Sequence, residues 1–349
     1  MPSATKPTTA TDWVASLSPW PEEFGLDRMR QLLTALGDPQ RAFPSVHVVG
    51  TNGKSTATRT IAELLRAEGL QAGAYTSPHV SGWHERLDCD PESFERAVAR
   101  IRDAAEELGA TQFEALTAAA LADFAEAGVD VAVVEAGLGG RLDATNVVDA
   151  PVVLLTNVAL EHTEVLGETA EQIAKEKLAV AHAARIVVMS DNTYEGIVPT
   201  GASVVIGGAR EAAEAYLDRP VRHEVEASLP GRLERRGDEV WDGAHTPEGA
   251  DWLLARLPAR DYVLCVSILG DKRIDELLAR LARAGRTLVA TRSTNARALP
   301  EDELATHAEP HFEHVEAIAD PHDALARARL LGGPVLVTGS LYLLADLYS

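Results

Sequence analysis

The fold of this chain is decided first by one stretch, VHVVGTNGKST at 46–56. Its opening residues, 46–49, are mostly β-branched and predict a short buried strand. From Ser55 to Glu68 the pattern predicts a helix, which stops at Gly69. A strand, a glycine-bounded turn, a Lys-Ser/Thr pair and a helix, in that order, are typical of a phosphate-binding loop.

The chemistry of such a loop follows from its residue types. Glycines let backbone N–H groups turn toward phosphate oxygens, and the helix N-terminus adds partial positive charge. Lys54 can reach the terminal phosphates, while a hydroxyl of Ser55 or Thr56 can hold Mg²⁺. Val48 stands where the general motif has its first glycine, so the alternative is a tight turn with an incidental lysine. We interpret the stretch as a site for a nucleoside triphosphate, formed by Gly50, Thr51, Asn52, Gly53, Lys54, Ser55 and Thr56.

Composition limits the class of partner. The chain has 349 residues, of which 46% are hydrophobic, and a formal net charge of -21. Its length predicts about two domains, and its charge argues against nucleic acid or an anionic membrane. An anionic small ligand remains compatible, because N–H groups, lysines and Mg²⁺ set the field inside a pocket. Two distant cysteines, no signal peptide and no membrane-length apolar run lead us to expect a cytoplasmic protein, which we take to be a monomer.

Strand-like and helix-like runs alternate along the chain, which predicts a mostly parallel sheet with helices on both faces. After the phosphate loop the predicted strands are 72–75, 129–134, 152–155, 186–189 and 204–206, and the predicted helices are 91–107, 112–127 and 168–183. A further helix is predicted at 27–36, and residues 1–11 are expected to be disordered.

A second α/β segment begins after the breaks at 190–228, which we interpret as the end of the first domain and a linker. One of its predicted strands ends at Trp241, and the others span 262–268, 287–290 and 335–337. One predicted helix begins at Pro247, and the others span 272–284, 301–307 and 321–331. The predicted domains are therefore 1–228 and 229–349.

Polar residues follow two of the predicted strands. Glu135 ends the run VAVVE, where a carboxylate can hold Mg²⁺ or a metal-bound water; the alternative is a capping role. A glycine-rich turn, 136–143, comes directly after it. Thr156 and Asn157 lead into His162, which is either a ligand or a structural histidine.

Lys177 lies near the middle of the apolar face of the helix predicted at 168–183, whereas Lys175 projects from the opposite side. A lysine on an apolar face must extend to solvent, find a partner or lose its charge. A desolvated lysine is also prone to covalent modification.

The run WDGAHTP at 241–247 forms another strand–loop–helix junction, with Thr246 suited to the N-cap and Pro247 to the first helical position. Asp242 and His245 are candidate site residues in this loop, and Arg232, just upstream, could reach a phosphate. The alternative for each is an ordinary surface loop residue.

Taken together, these segments resemble the folylpolyglutamate synthase/dihydrofolate synthase family of ATP-dependent amide ligases, within the Mur ligase group. The similar stretches, in chain order, are GLDRMRQLLTALGDP (25–39), VHVVGTNGKST (46–56), AGAYTSPHV (72–80), TQFEALTAAAL (111–121), VVEAGLGGRLDATN (133–146), LEHTEVLG (160–167), IAKEKLAV (173–180), LPGRLE (229–234), WDGAHTPEGA (241–250), ILGDKRID (268–275), RALPEDEL (297–304) and VTGSLYLLADL (337–347). The resemblance implies a P-loop, parallel-sheet ATPase domain of the Mur ligase type and a smaller C-terminal Rossmann-like α/β domain.

The same resemblance implies roles for particular residues. Ser77, Glu135 and His162 match the family's Mg²⁺ ligands, with two ions expected. Lys177 matches the lysine that is carbamylated, and counts with Lys54 and His245 among the catalytic residues. Arg232 and Asp242 match nucleotide contacts.

The chain departs from the family pattern at four places. Ser55 replaces a glycine that is frequent after the loop lysine, and Thr246 replaces an asparagine. The loop after TSPH reads Trp83-His84-Glu85-Arg86, and the stretch between Lys177 and Pro230 is shorter than usual.

We therefore predict an ATP-dependent ligase that adds L-glutamate to dihydropteroate, to folates, or to both, through an acyl phosphate. The close alternative is a Mur-type ligase that joins an amino acid to a non-folate carboxylate. An alternative of another class is an ATP-binding regulatory protein without ligase activity.

Overall fold

The computed structural model describes residues 9–349, which divide into two compact units. Of the described residues, the first unit comprises 9–78 together with Trp83–Ala227, and the second comprises Ser228–Ser349 together with the tetrapeptide His79–Gly82. Within residues 9–349, no helix combines the length and the apolar character needed to cross a membrane.

The first unit is built on a six-stranded, fully parallel sheet, in the order β2-β3-β1-β4-β5-β6. The strands β1 to β4 are buried at every position, as expected for a parallel sheet covered on both faces. The strands are β1 (Ser45–Val49), β2 (Ala72–Tyr75), β3 (Val131–Glu135), β4 (Val152–Leu155), β5 (Ile186–Met189) and β6 (Ser203–Ile206).

Helices cover both faces of this sheet through separate apolar clusters. The helix α5 begins with a capping box, in which Thr111 and Glu114 satisfy each other's backbone N–H groups. The helices are α1 (Ala10–Ser16), α2 (Asp27–Ala35), α3 (Lys54–Ala67), α4 (Pro91–Leu108), α5 (Gln112–Ala127), α6 (Thr163–Leu166), α7 (Ala170–Leu178) and α8 (Ala209–Leu217).

The second unit has its own six-stranded sheet, in the order β11-β10-β9-β12-β8-β7, which is parallel except for β7. Its elements are β7 (Glu234–Arg236), β8 (Glu239–Trp241), α9 (Pro247–Leu254), β9 (Val263–Val266), α10 (Ile274–Leu281), β10 (Thr287–Ala290), α11 (Glu301–Ala308), β11 (His314–Ala317), α12 (Pro321–Leu330), β12 (Val335–Thr338) and α13 (Leu341–Tyr348). Val80 of the tetrapeptide is buried in one core cluster of this unit with Trp241 and Leu344.

The α/β fold class predicted from the sequence is confirmed, with a few errors in single elements. The helix predicted at 168–183 ends at Leu178, because the chain tightens into a 3₁₀ turn in which Ala181 (φ -83°, ψ 20°) leaves helical geometry. The strands β7 and β11 and the helix α13 were not predicted. The disorder predicted for 1–11 falls largely on residues 1–8, outside the described residues, and was wrong for Ala10 and Thr11, which begin α1.

Candidate nucleotide and metal site

The strand order of the first sheet brings four loops together. Because β2, β3, β1 and β4 are parallel neighbours, the residues after their carboxyl ends lie along one edge. Ser77 follows β2, Glu135 ends β3, Gly50 follows β1 and Thr156 follows β4. The edge therefore collects a carboxylate, hydroxyls and the glycine loop at one place.

The backbone of the glycine loop is held by the loop after β4. The backbone carbonyl of Asn157 accepts a hydrogen bond from the N–H of Thr51 at 3.0 Å, and its side-chain Oδ1 accepts one from the N–H of Asn52 at 2.8 Å. Thr156 donates its hydroxyl to the carbonyl of Asn52 at 2.8 Å. Gly50 (φ 146°) approaches this loop so closely that a Cβ there would lie 1.9 Å from Thr156 Oγ1. Only glycine fits this position, for reasons of both space and backbone conformation.

The helix that follows the loop begins without a side-chain cap. Gly53, at its N-cap, is in the left-handed region (φ 78°), and no side chain among residues 9–349 accepts a hydrogen bond from its first turn. The first N–H groups of a helix carry partial positive charge and need acceptors. An uncapped helix start behind a glycine loop is suited to an anion such as phosphate.

Two lysines share one carbonyl oxygen of the loop. Lys54 Nζ lies 3.0 Å from Gly50 O and 3.1 Å from Thr51 O. Lys177 Nζ lies 2.9 Å from the same Gly50 O, and also 3.2 Å from a carboxylate oxygen of Glu161. Burial, and next the charge of Lys54, lower the pKa of Lys177. Its side chain is 2% exposed, so the alternative in which it extends to solvent is wrong.

Glu135 is the centre of a group of oxygen atoms. It is 1% exposed, and Ser55 donates its hydroxyl to Glu135 Oε1 at 3.1 Å. The backbone N–H of Ser77 donates to Glu135 Oε2 at 2.9 Å, and Ser55 Oγ also lies 3.3 Å from the carbonyl oxygen of Ser77. Carboxylate, hydroxyl and carbonyl oxygens are hard ligands of the kind that Mg²⁺ prefers, so the residues present fit such an ion. Of the two hydroxyls predicted as candidates for the metal, that of Ser55 lies beside Glu135. The neighbouring Thr56 accepts the hydroxyl of Thr60 with its backbone carbonyl.

The structure does not bring His162 into a cluster with these groups. His162 is exposed and has a left-handed backbone (φ 47°) at the start of the short α6. Among residues 9–349 no group of three or more His, Cys, Asp or Glu side chains is arranged to hold a metal ion. The role predicted for His162 stays a prediction.

Two candidate residues of the second unit, Asp242 and His245, lie in the junction between β8 and α9. Arg232 lies before β7, and its guanidinium donates to the carbonyl of Gly231 at 3.3 Å. Asp242 is 5% exposed and accepts backbone N–H groups from Leu233 at 2.7 Å and from Ala244 at 2.9 Å. Burial raises the pKa of Asp242, although these N–H donors and the charge of Arg232 act against the rise. His245 contacts the carbonyl of Gly243 through Nδ1 at 2.8 Å.

The N-cap predicted at Thr246 and the helix start predicted at Pro247 are confirmed, with Thr246 Oγ1 accepting from the N–H of Gly249 at 3.1 Å. Sequence reasoning missed how Thr156, Asn157 and Glu161 act. The polar run directly after β4 is the sequence feature that could have identified them. Their contacts with the glycine loop and with Lys177, however, depend on β4 lying beside β1.

Comparison with known proteins places these features in a class. The Mur ligase middle domain profile matches residues 48–204, and the Mur ligase glutamate ligase domain profile matches residues 231–341. A probable bifunctional folylpolyglutamate synthase/dihydropteroate synthase of Haloferax volcanii is 32% identical over 92% of this chain, which spans 48% of that protein. The dihydrofolate synthase/folylpolyglutamate synthase of Mycobacterium tuberculosis is 30% identical over 93% of this chain and 88% of its own length.

Solved structures agree with the sequence relatives. E. coli FolC in complex with DHPP and ADP has a TM-score of 0.83 and 27% identity, covering 97% of both chains. A bifunctional folylpolyglutamate synthase/dihydrofolate synthase with Mn, AMPPNP and L-glutamate bound has a TM-score of 0.83 and 26% identity, again covering 97% of both chains.

The two domain matches and the site together define an ATP-dependent carboxylate–amine ligase of the Mur type. More narrowly, the chain belongs to the folylpolyglutamate synthase/dihydrofolate synthase family. The resemblance predicted from the sequence motifs is thereby confirmed.

Proposed function

We propose that this protein uses ATP to join L-glutamate to the carboxylate of dihydropteroate, of folates, or of both. The observation that carries the proposal is the convergence on the glycine loop of Lys54, Lys177 and the oxygen group of Glu135, Ser55 and Ser77. The substrates are suggested by relatives that carry the folate names and by related structures with DHPP, ADP and L-glutamate.

The glycine loop would hold the phosphates of ATP. The N–H groups at the start of α3 face an anion without competition from a side-chain cap, and Lys54 needs only to exchange loop carbonyls for phosphate oxygens. The acceptor carboxylate attacks the γ-phosphorus, so that an acyl phosphate forms and ADP leaves. The amino group of glutamate then attacks the acyl carbon, and phosphate is expelled as the amide forms.

Glu135, Ser55 and Ser77 would hold a divalent cation, with His162 added on the motif resemblance alone. Mg²⁺ bound there would neutralise charge on the phosphate oxygens during transfer. Since Ser55 rather than Thr56 has its hydroxyl beside Glu135, we assign the metal hydroxyl to Ser55. A second ion is proposed on the same resemblance.

Lys177 is proposed to react with CO₂. The neutral amine attacks the carbon, an N–C bond forms, and a proton leaves, which converts the side chain into a carbamate anion. Burial and the adjacent Lys54 lower the pKa of Lys177 and thus favour the neutral amine that this reaction needs. The anion would also remove the repulsion between two ammonium groups on one carbonyl.

The Lys177→Ala variant tests the carbamate. We expect a loss of about 10²-fold or more in kcat, partly restored by short-chain carboxylates that replace the missing anion. Lys175→Ala, on the exposed side of the same helix, is the matched control and should keep parental activity. An unaffected Lys177→Ala variant would refute the proposed role.

In the second unit, Arg232 and Asp242 are proposed as nucleotide contacts and His245 as a residue of phosphoryl transfer. These roles are supported by the motif resemblance. In the structure Asp242 accepts hydrogen bonds from Leu233, which precedes β7, and from Ala244, while His245 contacts Gly243 of its own loop.

The acceptor is identified by incubating the protein with ATP, Mg²⁺, glutamate and either dihydropteroate or tetrahydrofolate, and measuring products by mass spectrometry and ADP release. Glutamylated product is expected with at least one of the two acceptors, and Glu135→Gln should abolish it. Absence of product with both would overturn the folate assignment. ADP release that needs an amino acid but no pterin would identify a Mur-type ligase for another carboxylate, which the departures in the loop Trp83–Arg86 favour as second candidate. Tight ATP binding without any acceptor-dependent turnover would identify a regulatory protein.

A further inference from the structure

A chain of three buried polar side chains lies beneath the glycine-rich turn that follows Glu135. His47, on β1, and Thr145 are fully buried, and Asp143 is 6% exposed. His47 Nε2 lies 2.8 Å from Thr145 Oγ1, and Thr145 Oγ1 lies 2.5 Å from Asp143 Oδ1. No substrate contact is needed to explain these residues, yet burying three polar groups costs free energy unless their bonds are complete.

The positions of the hydrogens follow from counting donors. Asp143 also accepts the N–H of Leu138 at 2.7 Å and the N–H of Thr145 at 3.0 Å, and these bonds oppose the rise in its pKa that burial causes. The ionised carboxylate receives the single hydroxyl hydrogen of Thr145. Thr145 can then only accept from His47, which fixes the proton of His47 on Nε2. Among residues 9–349 His47 Nδ1 has no hydrogen-bond partner, as suits an unprotonated nitrogen. Burial lowers the pKa of His47 to about 3, which agrees with a neutral ring.

The turn that this chain holds is packed against the end of α7. A Cβ on Gly140 would lie 2.5 Å from the carbonyl oxygen of Lys177 and 2.6 Å from that of Glu176, so glycine permits direct backbone contact. The N–H of Arg141 donates to the carbonyl of Glu176 at 3.1 Å, and its side chain pairs with the Glu176 carboxylate at 2.9 Å. The position of the last turn of α7 therefore depends on the position of this turn.

We propose that His47, Thr145 and Asp143 are positioning residues that fix the glycine-rich turn, and through it the end of α7, so that the amine of Lys177 is held on Gly50. The chain reaches from the central strand of the sheet to the backbone of the turn. In a low-dielectric interior the hydrogen bonds of such a chain are strong and restrict the movement of its side chains. The importance of this position for catalysis rests on the role proposed above for Lys177.

The test replaces the middle member of the chain. Thr145→Val keeps the shape but removes the hydroxyl, whereas Thr145→Ser keeps the hydroxyl. Thr117→Val is the matched control, because Thr117 is equally buried and its hydroxyl bonds Phe113 O at 2.8 Å and Tyr75 at 3.0 Å, outside the chain of His47, Thr145 and Asp143. We expect Thr145→Val to lower kcat about tenfold or more with the KM for ATP nearly unchanged, and both other variants to stay within about threefold of the parent.

A second readout uses the free protein and needs no ligase activity. Limited labelling with acetic anhydride, followed by peptide mass spectrometry, reports how well Lys177 is protected relative to the exposed Lys175. Thr145→Val should raise the labelling rate of Lys177 about fivefold or more, while Thr145→Ser and Thr117→Val should not. His47→Leu and His47→Gln, which remove and retain a donor at the other end of the chain, should follow the same order.

The proposal is overturned if Thr145→Val loses thermal stability to the same extent as Thr117→Val while kcat and Lys177 labelling stay parental. If the parent itself has no ligase activity, the labelling result still decides the positioning role, so the two proposals fail separately.

Discussion

Each unit contains a strand–loop–helix junction in which glycine is followed by a polar loop. The two junctions differ in whether a side chain of the protein accepts hydrogen bonds from the N–H groups at the helix start. Between β1 and α3, the first turn of the helix has no side-chain cap within residues 9–349, and two lysines lie on the loop carbonyls. Between β8 and α9, Thr246 caps the helix and Asp242 accepts two backbone N–H groups.

The difference shows which feature marks an anion site. A strand, a glycine and a helix start occur in both junctions, so that arrangement alone does not predict phosphate binding. What differs is whether the chain supplies its own acceptors for the N–H groups at the helix start. In the first junction, no side chain within residues 9–349 caps the helix start and two lysines lie nearby, whereas in the second Thr246 supplies an acceptor from the chain itself.

The largest effect is expected at Lys54, the cation of the first junction. Lys54→Met should lower kcat about 10³-fold, because charge developing on the transferred phosphoryl group loses its positive partner. Circular dichroism should show a parental fold, since the acceptors of Lys54 are carbonyls of its own loop. Lys175→Met is the matched control. A Lys54→Met variant with parental turnover would contradict the role proposed for Lys54 in the first junction.

The second prediction compares the two junction glycines. Gly50→Ala should lower the free energy of unfolding of the first unit by about 3 kcal/mol, because its Cβ would meet Thr156 Oγ1 at 1.9 Å in a backbone conformation that suits only glycine. Gly243→Ala should cost about 1 kcal/mol, since its Cβ meets the Leu341 side chain at 2.1 Å, which can rotate. Urea unfolding measures both, and equal losses would contradict the packing argument.

The third prediction concerns Asp242. Asp242→Asn leaves one oxygen for two N–H donors, so the free energy of unfolding should fall by about 2 kcal/mol at neutral pH. Because the pKa of Asp242 is raised by burial, the folded parent binds this proton more tightly than the unfolded chain, and its stability should decrease as pH rises through that pKa. The Asn variant has no such dependence. Identical pH profiles for the two proteins would show that Asp242 is not the titrating group.

The smallest effect is expected at Thr246. Thr246→Ala removes the N-cap of α9 and should destabilise the second unit by about 1 kcal/mol, while Thr246→Ser should keep the cap. Thermal unfolding measures the difference, and ATP affinity should change little. A large loss of ATP affinity in Thr246→Ala alone would indicate that the Thr246 hydroxyl contacts the nucleotide in addition to capping α9.

Much of the fold was predictable because local patterns agree with it. Alternating apolar strands and amphipathic helices predicted both sheets, and helical periodicity alone predicted that Lys177 lies on the buried face of α7. The edge strand β11 was missed because its pattern, His314 to Ala317, is only half-buried and lacks a long apolar run.

The site was less predictable, because its geometry depends on strand order. Glu135, Ser55 and Ser77 were identified as separate motif residues, but their mutual hydrogen bonds follow from β2, β3 and β1 being neighbours. The buried contact of His47 with Thr145 joins residues that are far apart in sequence, and no local pattern signals it.

The tetrapeptide His79–Gly82 has a consequence for how such a protein can be divided or inherited. The chain passes from one unit to the other after Pro78, after Gly82 and after Ala227, so the second unit is not a continuous piece of sequence. A gene fragment for residues 228–349 would encode the sheet but omit Val80, which lies in the core with Trp241 and Leu344. Val80 also packs closely on Gly231, since a Cβ added to Gly231 would lie 3.3 Å from the Val80 side chain. Part of the core of the second unit therefore comes from residues that are distant in sequence. Fusing residues 228–349 to another protein would not transfer that core intact.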